Sequence, residues 1–209
     1  MNMKQNTMLI AVIALLIGGI GGYIIADRGD YGMRGMDHSM MMSDDSNQDM
    51  DDMPMGGRMG MDHSVMMVSS EREFLTGMIP HHQEAVDTAT EVVERGGSTP
   101  EIKTLAENII IAQELEIAEM KQWHLAWYGE EYVEEGSYQP MMRELAGLSG
   151  AELDQRFLED MVMHHMGAIM MARSVQPHIE HQEIEVLSQA IVETQTAEIE
   201  LMRDLLKSL

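Results

Sequence analysis

The chain has no cysteine. That excludes a disulfide framework and any thiolate metal site, and it fits an oxidising compartment only weakly. Aromatic residues make up 4% of the sequence, so a core has to be built from Leu, Ile, Val, Ala and Met. Basic residues are also few: 13 Lys and Arg stand against 36 Asp and Glu, a formal net charge of −23. With no basic face to displace counterions from phosphates, nucleic acid is excluded as a partner. The same acidity attracts metal cations over long range, and it serves plain solubility equally well. There are no convincing strand signals. A Ser-His-Asp pattern, a phosphate-cradling loop and a paired-acid arrangement that would suggest hydrolysis are missing too.

Methionine is present in excess, 25 in 209 residues. Thioethers fill irregular core gaps and absorb oxidants, but neither role explains where they sit. Twelve fall between Met33 and Met67, in a stretch too polar and Gly-rich to have a core. Ahead of it, residues 1–7 are expected in the cytoplasm and residues 8–26 read MLIAVIALLIGGIGGYIIA, without a charge. As a helix that run spans about 28 Å, close to the ~30 Å of bilayer hydrocarbon. A cleaved signal peptide competes, but the run is long for one and bulky Ile24 stands at the −3 place before a cut after Ala26. A retained transmembrane anchor that exports the acidic remainder is the favoured reading.

Residues 27–70 show no helical or strand period and are expected to be a disordered Met/His/Asp-rich linker. Met36-Asp37-His38-Ser39-Met40-Met41-Met42 returns as Met61-Asp62-His63-Ser64-Val65-Met66-Met67. Packing does not account for such a repeat. Soft thioether sulfur suits Cu(I), and imidazole suits both copper states. Met36, His38, Met40, Met61, His63 and Met66 are therefore candidate copper ligands, with low-complexity drift or oxidant scavenging as the alternatives.

Residues 71–209 read as helical. Ser70-x-x-Glu73 is a capping box before an apolar-periodic run that stops at Gly96-Gly97. Pro100 behind Ser98 or Thr99 opens a second helix to about Tyr128. A loop region follows, with room for a short helix near Met141–Leu145. Ser149-x-x-Glu152 is a second capping box, for a helix ending near Gln176-Pro177, and a fourth helix covers about 180–207. Long helices on short connections predict an all-α, antiparallel four-helix bundle.

The bundle sequence is one helix hairpin written twice. Phe74-Leu75-x-x-Met78-x-x-His81-His82-x-x-Ala85-x-x-x-Ala89 matches Phe157-Leu158-x-x-Met161-x-x-His164-His165-x-x-Ala168-x-x-x-Ala172. Gln113-x-x-Glu116-Ile117-x-x-Met120 matches Gln195-x-x-Glu198-Ile199-x-x-Met202. Residues three and four apart share a helix face, so Met78 neighbours His81 and His82, Met161 neighbours His164 and His165, and Met120 stands one turn before His124. Di-iron bundles place Glu-x-x-His in this slot. A thioether in place of the carboxylate moves the preference toward Cu(I) or Ag(I). Glu116 and Glu198 remain as oxygen ligands or as partners for an imidazole. A Met at helical spacing is core filler in most proteins, and which His of each pair points inward stays open. Pro80 is expected either to kink the first helix or to sit in the first turn of a helix that restarts there. Met166 with Met170, and His178 with His181, are minor soft or imidazole patches, the latter read as surface residues.

At Gly77-Met78-Ile79-Pro80-His81-His82-Gln83 and Asp160-Met161-Val162-Met163-His164-His165-Met166 the sequence resembles the CopM-like family of bacterial Met/His-rich proteins. The resemblance covers roughly residues 71–209. It implies a ferritin-like four-helix bundle, in the periplasm or on the outer face of the membrane, that binds copper and is linked to copper tolerance. By position it implies Met78, His81, His82, Met120, Met161, His164, His165 and Met202 as ligands, with His124 in addition. The linker is separately similar to MDHSxM segments of bacterial copper-resistance proteins.

The leading expectation is thus a membrane-anchored, extracytoplasmic protein that sequesters or delivers copper, Cu(I) by preference with Ag(I) as a substitute, and that exchanges it with a copper-exporting or copper-accepting protein. A ferritin-like metal oxidase is the second reading, opposed by Met where a dioxygen-activating site wants Glu. A membrane-anchored adaptor with antioxidant Met residues is the third.

Overall fold

The structure is a computed structural model that describes residues 67–134, 136 and 138–209. The apolar run 8–26 and the candidate ligands Met36, His38, Met40, Met61, His63 and Met66 lie outside the described residues. Among the described residues no helix is long and apolar enough to cross a membrane.

Four long helices and no strand occur among the described residues. Helix α1 (Glu71–Arg95) opens on Ser70, whose Oγ accepts from the Glu73 amide at 3.1 Å. The return arm of the expected box lands one residue early: Glu73 accepts from the backbone amide and hydroxyl of Ser69. Helix α2 (Pro100–Tyr128) has Pro100 at its start and Thr99 Oγ1 as its cap. It ends at Gly129, whose φ of 75° is the left-handed cap conformation glycine supplies without strain. Helix α3 is Gly150–Ser174, a 3-10 turn follows at Gln176–His178, and α4 is Gln182–Ser208.

Three expectations about boundaries are corrected, two of them by side chains that claim backbone amides. No helix forms at 141–145, because Glu84 takes the amides of Met141 and Met142 and Asp160 takes that of Arg143. Ser149 makes no side-chain cap to α3, so its capping box is not built. The last helix starts at 182 rather than 180, since the Glu180 and His181 amides both donate to Glu71 Oε1 at 2.7 Å. Pro80 neither ends nor restarts α1, which runs unbroken through it.

Helices α1 and α3 pack on each other as the central pair, and each carries its hairpin partner, α2 or α4. Two apolar cores fix the directions. The first joins Phe74 and Met78 near the start of α1 to Ala172 and Val175 at the end of α3, with Met120 and Trp123 from α2 and Leu187 from α4. The second joins Ala89 and Val92 at the end of α1 to Leu153 and Phe157 at the start of α3, with Ile109 and Met202. The central helices are therefore antiparallel, and the sequence repeat becomes a pseudo-twofold about their midpoints. Alanines at 85, 89, 168 and 172 are fully buried along this seam. Small side chains there let two backbones approach closely and bring whatever lies between the cores face to face.

Candidate metal centre

Between the two cores the bundle interior turns polar. His81, His82, His164 and His165 are all buried, none more than 1% exposed. On a helix, neighbouring positions differ by about 100°, and the two members of each pair use that difference. His81 and His164 face each other across the central seam, ring centroids 3.7 Å apart and tilted by 35°. His82 turns to its own hairpin and donates from Nε2 to Glu116 Oε2 at 2.7 Å. His165 does the same with Glu198 Oε2, also at 2.7 Å. In the neutral ring that bond leaves the lone pair on Nδ1.

Those Nδ1 atoms have no hydrogen-bond partner. His82 Nδ1, His165 Nδ1 and both nitrogens of His81 and His164 are buried without a hydrogen-bond partner, as are Gln113 Oε1 and Gln195 Oε1 at matching places of the repeat. His164 Nε2 stands 3.3 Å from Glu84 Oε2 without the alignment of a hydrogen bond. Buried polar atoms are nearly always satisfied, and each orphan costs about 1–3 kcal/mol. Each neutral ring has one lone pair, so these six nitrogens comprise four electron-pair donors, one from each imidazole, and two N–H groups. Burial in the first place, and then the other three imidazoles, hold His81 well below the usual histidine range. Burial also lowers His164, partly opposed by the Glu84 carboxylate. Both rings are thereby kept neutral, the form that ligates metal.

The four bundle methionines do not gather at one point. Met78 and Met120 lie in the first core, Met161 and Met202 in the second, one pair on either side of the histidine layer. Among the described residues no three His, Asp or Glu side chains converge as a ready-made ligand group. The donor set suits a low-coordinate soft ion between imidazoles, with thioethers in reserve, rather than an oxygen-rich cage.

His124 stands apart from the quartet. Its Nδ1–H donates to the Glu130 carbonyl at 3.0 Å, and its ring meets Tyr128 and Tyr132 edge-on. It lines a cavity of about 670 Å³ together with Met67, Pro80, Tyr138 and Met171. His181 is held by stacking on Trp127 at 3.8 Å and by Glu71 Oε2 at 2.6 Å, while His178 is exposed. Met166 is exposed and Met170 leans on the first core, so these two form no common patch.

Two residues beside the quartet went unnoticed in the sequence. Glu84 accepts from Tyr138 Oη and from the Met141 and Met142 amides, and it also faces His164. Tyr138 sets its ring edge-on to His81 at 6.4 Å. The repeat could not reveal Glu84, because Gly167 occupies its place in α3. The one available signal was a carboxylate three residues after His81, hence on the same helix face.

The family model for a domain of unknown function, DUF305, matches residues 22–124 and 71–206. Among solved structures the chain is similar to CopM in its Cu(II)-bound form, 34% identical with a TM-score of 0.62, over 68% of this chain and 99% of that one. The Cu(I)-bound form of CopM matches at 33% identity and a TM-score of 0.62, over 68% and 98%. A DUF305 protein from Streptomyces coelicolor described as secreted matches at 28% identity and 0.58, over 65% and 90%. An uncharacterized protein of Acanthamoeba polyphaga mimivirus is 46% identical over 50 residues, 24% of this chain, and the chain spans about a third (32%) of that protein's length.

Proposed function

This chain belongs to the DUF305 family, and on that premise we propose that its bundle binds copper as cargo, Cu(I) by preference, at the buried histidine quartet. The observation that carries the reading is the layer of orphaned imidazole nitrogens. A pair of neutral imidazoles is a good low-coordinate host for a d10 ion, and Ag(I) fits the same donors. Similarity to CopM, whose structures hold Cu(I), Cu(II) and silver, supports the choice of metal.

The residues divide the work. His81 and His164 present their nitrogens across the seam. His82 and His165 present Nδ1, with Glu116 and Glu198 fixing ring orientation and raising ligand basicity through Nε2. Met78, Met120, Met161 and Met202 supply polarisable sulfur on either side of the layer. Neutral donors bind without the charge neutralisation a carboxylate cage gives, so the ion remains exchangeable, which suits sequestration and delivery better than catalysis. We further propose that the domain works outside the cytoplasm, tethered by residues 8–26, with the MDHSxMM segments as a second, flexible set of ligands and a copper-exporting or copper-accepting protein as the partner.

An anaerobic titration of the protein with Cu(I), competed against a chromogenic chelator, tests this. The variant carrying His81, His82, His164 and His165 all changed to Ala should lose the tightest ions and keep those held by the N-terminal Met/His segments. Equal number and affinity in both proteins would reduce the quartet to a structural role.

A further inference from the structure

The cavity beside His124 plays no part in the quartet, yet an imidazole and two methionines line it. The Glu130 carbonyl takes the proton of His124 Nδ1, which places the neutral ring's lone pair on Nε2. Ring contacts with Tyr128 and Tyr132 hold that orientation, and the residue is 3% exposed. Met171 and Met67 also line this cavity. The Met171 sulfur fits there because position 77 is glycine: a Cβ at Gly77 would stand 3.3 Å from Met171 Sδ. Glu73, Glu130, Glu131 and Glu134 also line the space against a single cation, Arg72, which pairs with Glu130, so the balance of charge favours entry of a cation.

We propose that this cavity is a second site for a soft monovalent d10 cation, Cu(I) or Ag(I), ligated by His124 Nε2 and Met171 Sδ, with the Met67 thioether as a further donor. It deepens the copper reading and rests on it. Tyr138 lines this cavity and also sets its ring edge-on to His81, and Pro80, the neighbour of His81, lines it too, so the cavity adjoins the quartet. Met67 is the last residue of the second MDHSxMM copy, so that copy contributes its final thioether to the cavity lining. The cavity is a staging site, open to incoming metal, and the quartet is the enclosed store behind it.

The test uses the full chain labelled with 13C at methionine methyls and 15N at histidine rings, titrated with Ag(I), which is diamagnetic and stable in air. In the wild type the Met171 methyl and the His124 ring resonances shift together. In H124Q the Met171 shift is lost while the His81 and His164 shifts persist. M171L, which conserves volume, keeps the fold and weakens the His124 response at least about tenfold, the loss expected when one of few ligands goes. If His81 and His164 respond but Met171 and His124 do not, the cavity is no metal site and the quartet reading survives. If none of the four responds, both readings fall.

Discussion

Glu119 occupies an uncomfortable place on α2. It is 6% exposed, its Oε2 has no partner, and burial, followed by the nearby Glu116 charge, pushes its carboxyl up to about 7. A raised acid stabilises the fold while protonated, so its contribution is full below about 4.5 and is lost as pH rises through 7. E119Q should therefore raise the Tm at pH 8 by a few degrees, about 1 kcal/mol after screening, and change little at pH 5. Thermal melts at the two pH values check this. Glu198 acts in the opposite sense, because its hydrogen bond orients His165. E198A is expected to weaken copper binding by about 10–100-fold, the usual cost of removing such a support. Chelator competition measures it, and unchanged affinity would mean that His165 is not a ligand.

At the level of the helices, the join between hairpins depends on close approach. Asp154, fully buried in the first turns of α3, accepts from the Gly97 and Ser98 amides at 2.8 and 2.7 Å. It thus holds the α1–α2 turn against α3, and Gly96 permits the contact: a Cβ there would come within 2.4 Å of Leu153 Cδ2. D154A leaves two amides without partners and should cost about 2–4 kcal/mol. Urea unfolding would show it as a lower midpoint with an unchanged slope. These elements were largely legible beforehand. Glycine, proline and Ser/Thr caps mark helix ends through local backbone energetics, and α1 and α2 begin and end where those signals stand. The misses at 141–145 and at 180–181 share one cause: a carboxylate distant along the chain, from Glu84, Asp160 or Glu71, takes the backbone amides, and no local signal announces it.

For the whole molecule, a metal held at the histidine layer would couple to protons and to stability. His81 and His164 are held below the ordinary value of 6.5, first by burial. Their contribution is full above 6.5 and is lost as pH falls below it, when the unfolded chain takes up protons that the folded one resists. Glu119 runs the other way between 4.5 and 7, so the wild-type curve is flattened and E119Q should expose a steeper acid loss. A bound ion opposes that loss, since it relieves the orphaned nitrogens only in the folded state. Cu(I) at a hundred times its Kd should add about 2.7 kcal/mol, seen in calorimetry at pH 7 as a higher Tm. The quadruple histidine variant should lose the part of this gain that comes from the histidine layer.

The amino-acid sequence by itself determined the helical class, the four long helices and the doubled Met-x-x-His-His hairpin, because propensity, caps and spacing act over a few residues. It also determined the donor chemistry, since sulfur and imidazole without cysteine leave a soft-ion preference. Only the tertiary structure decided how those donors meet. Antiparallel packing of α1 on α3 set His81 against His164, turned His82 and His165 to Glu116 and Glu198, parted the methionines into two cores and put His124 on a cavity wall. Each of those outcomes depends on which helix faces cross, a distance of tens of residues along the chain, where a repeat can fix what is equivalent but not what is in contact.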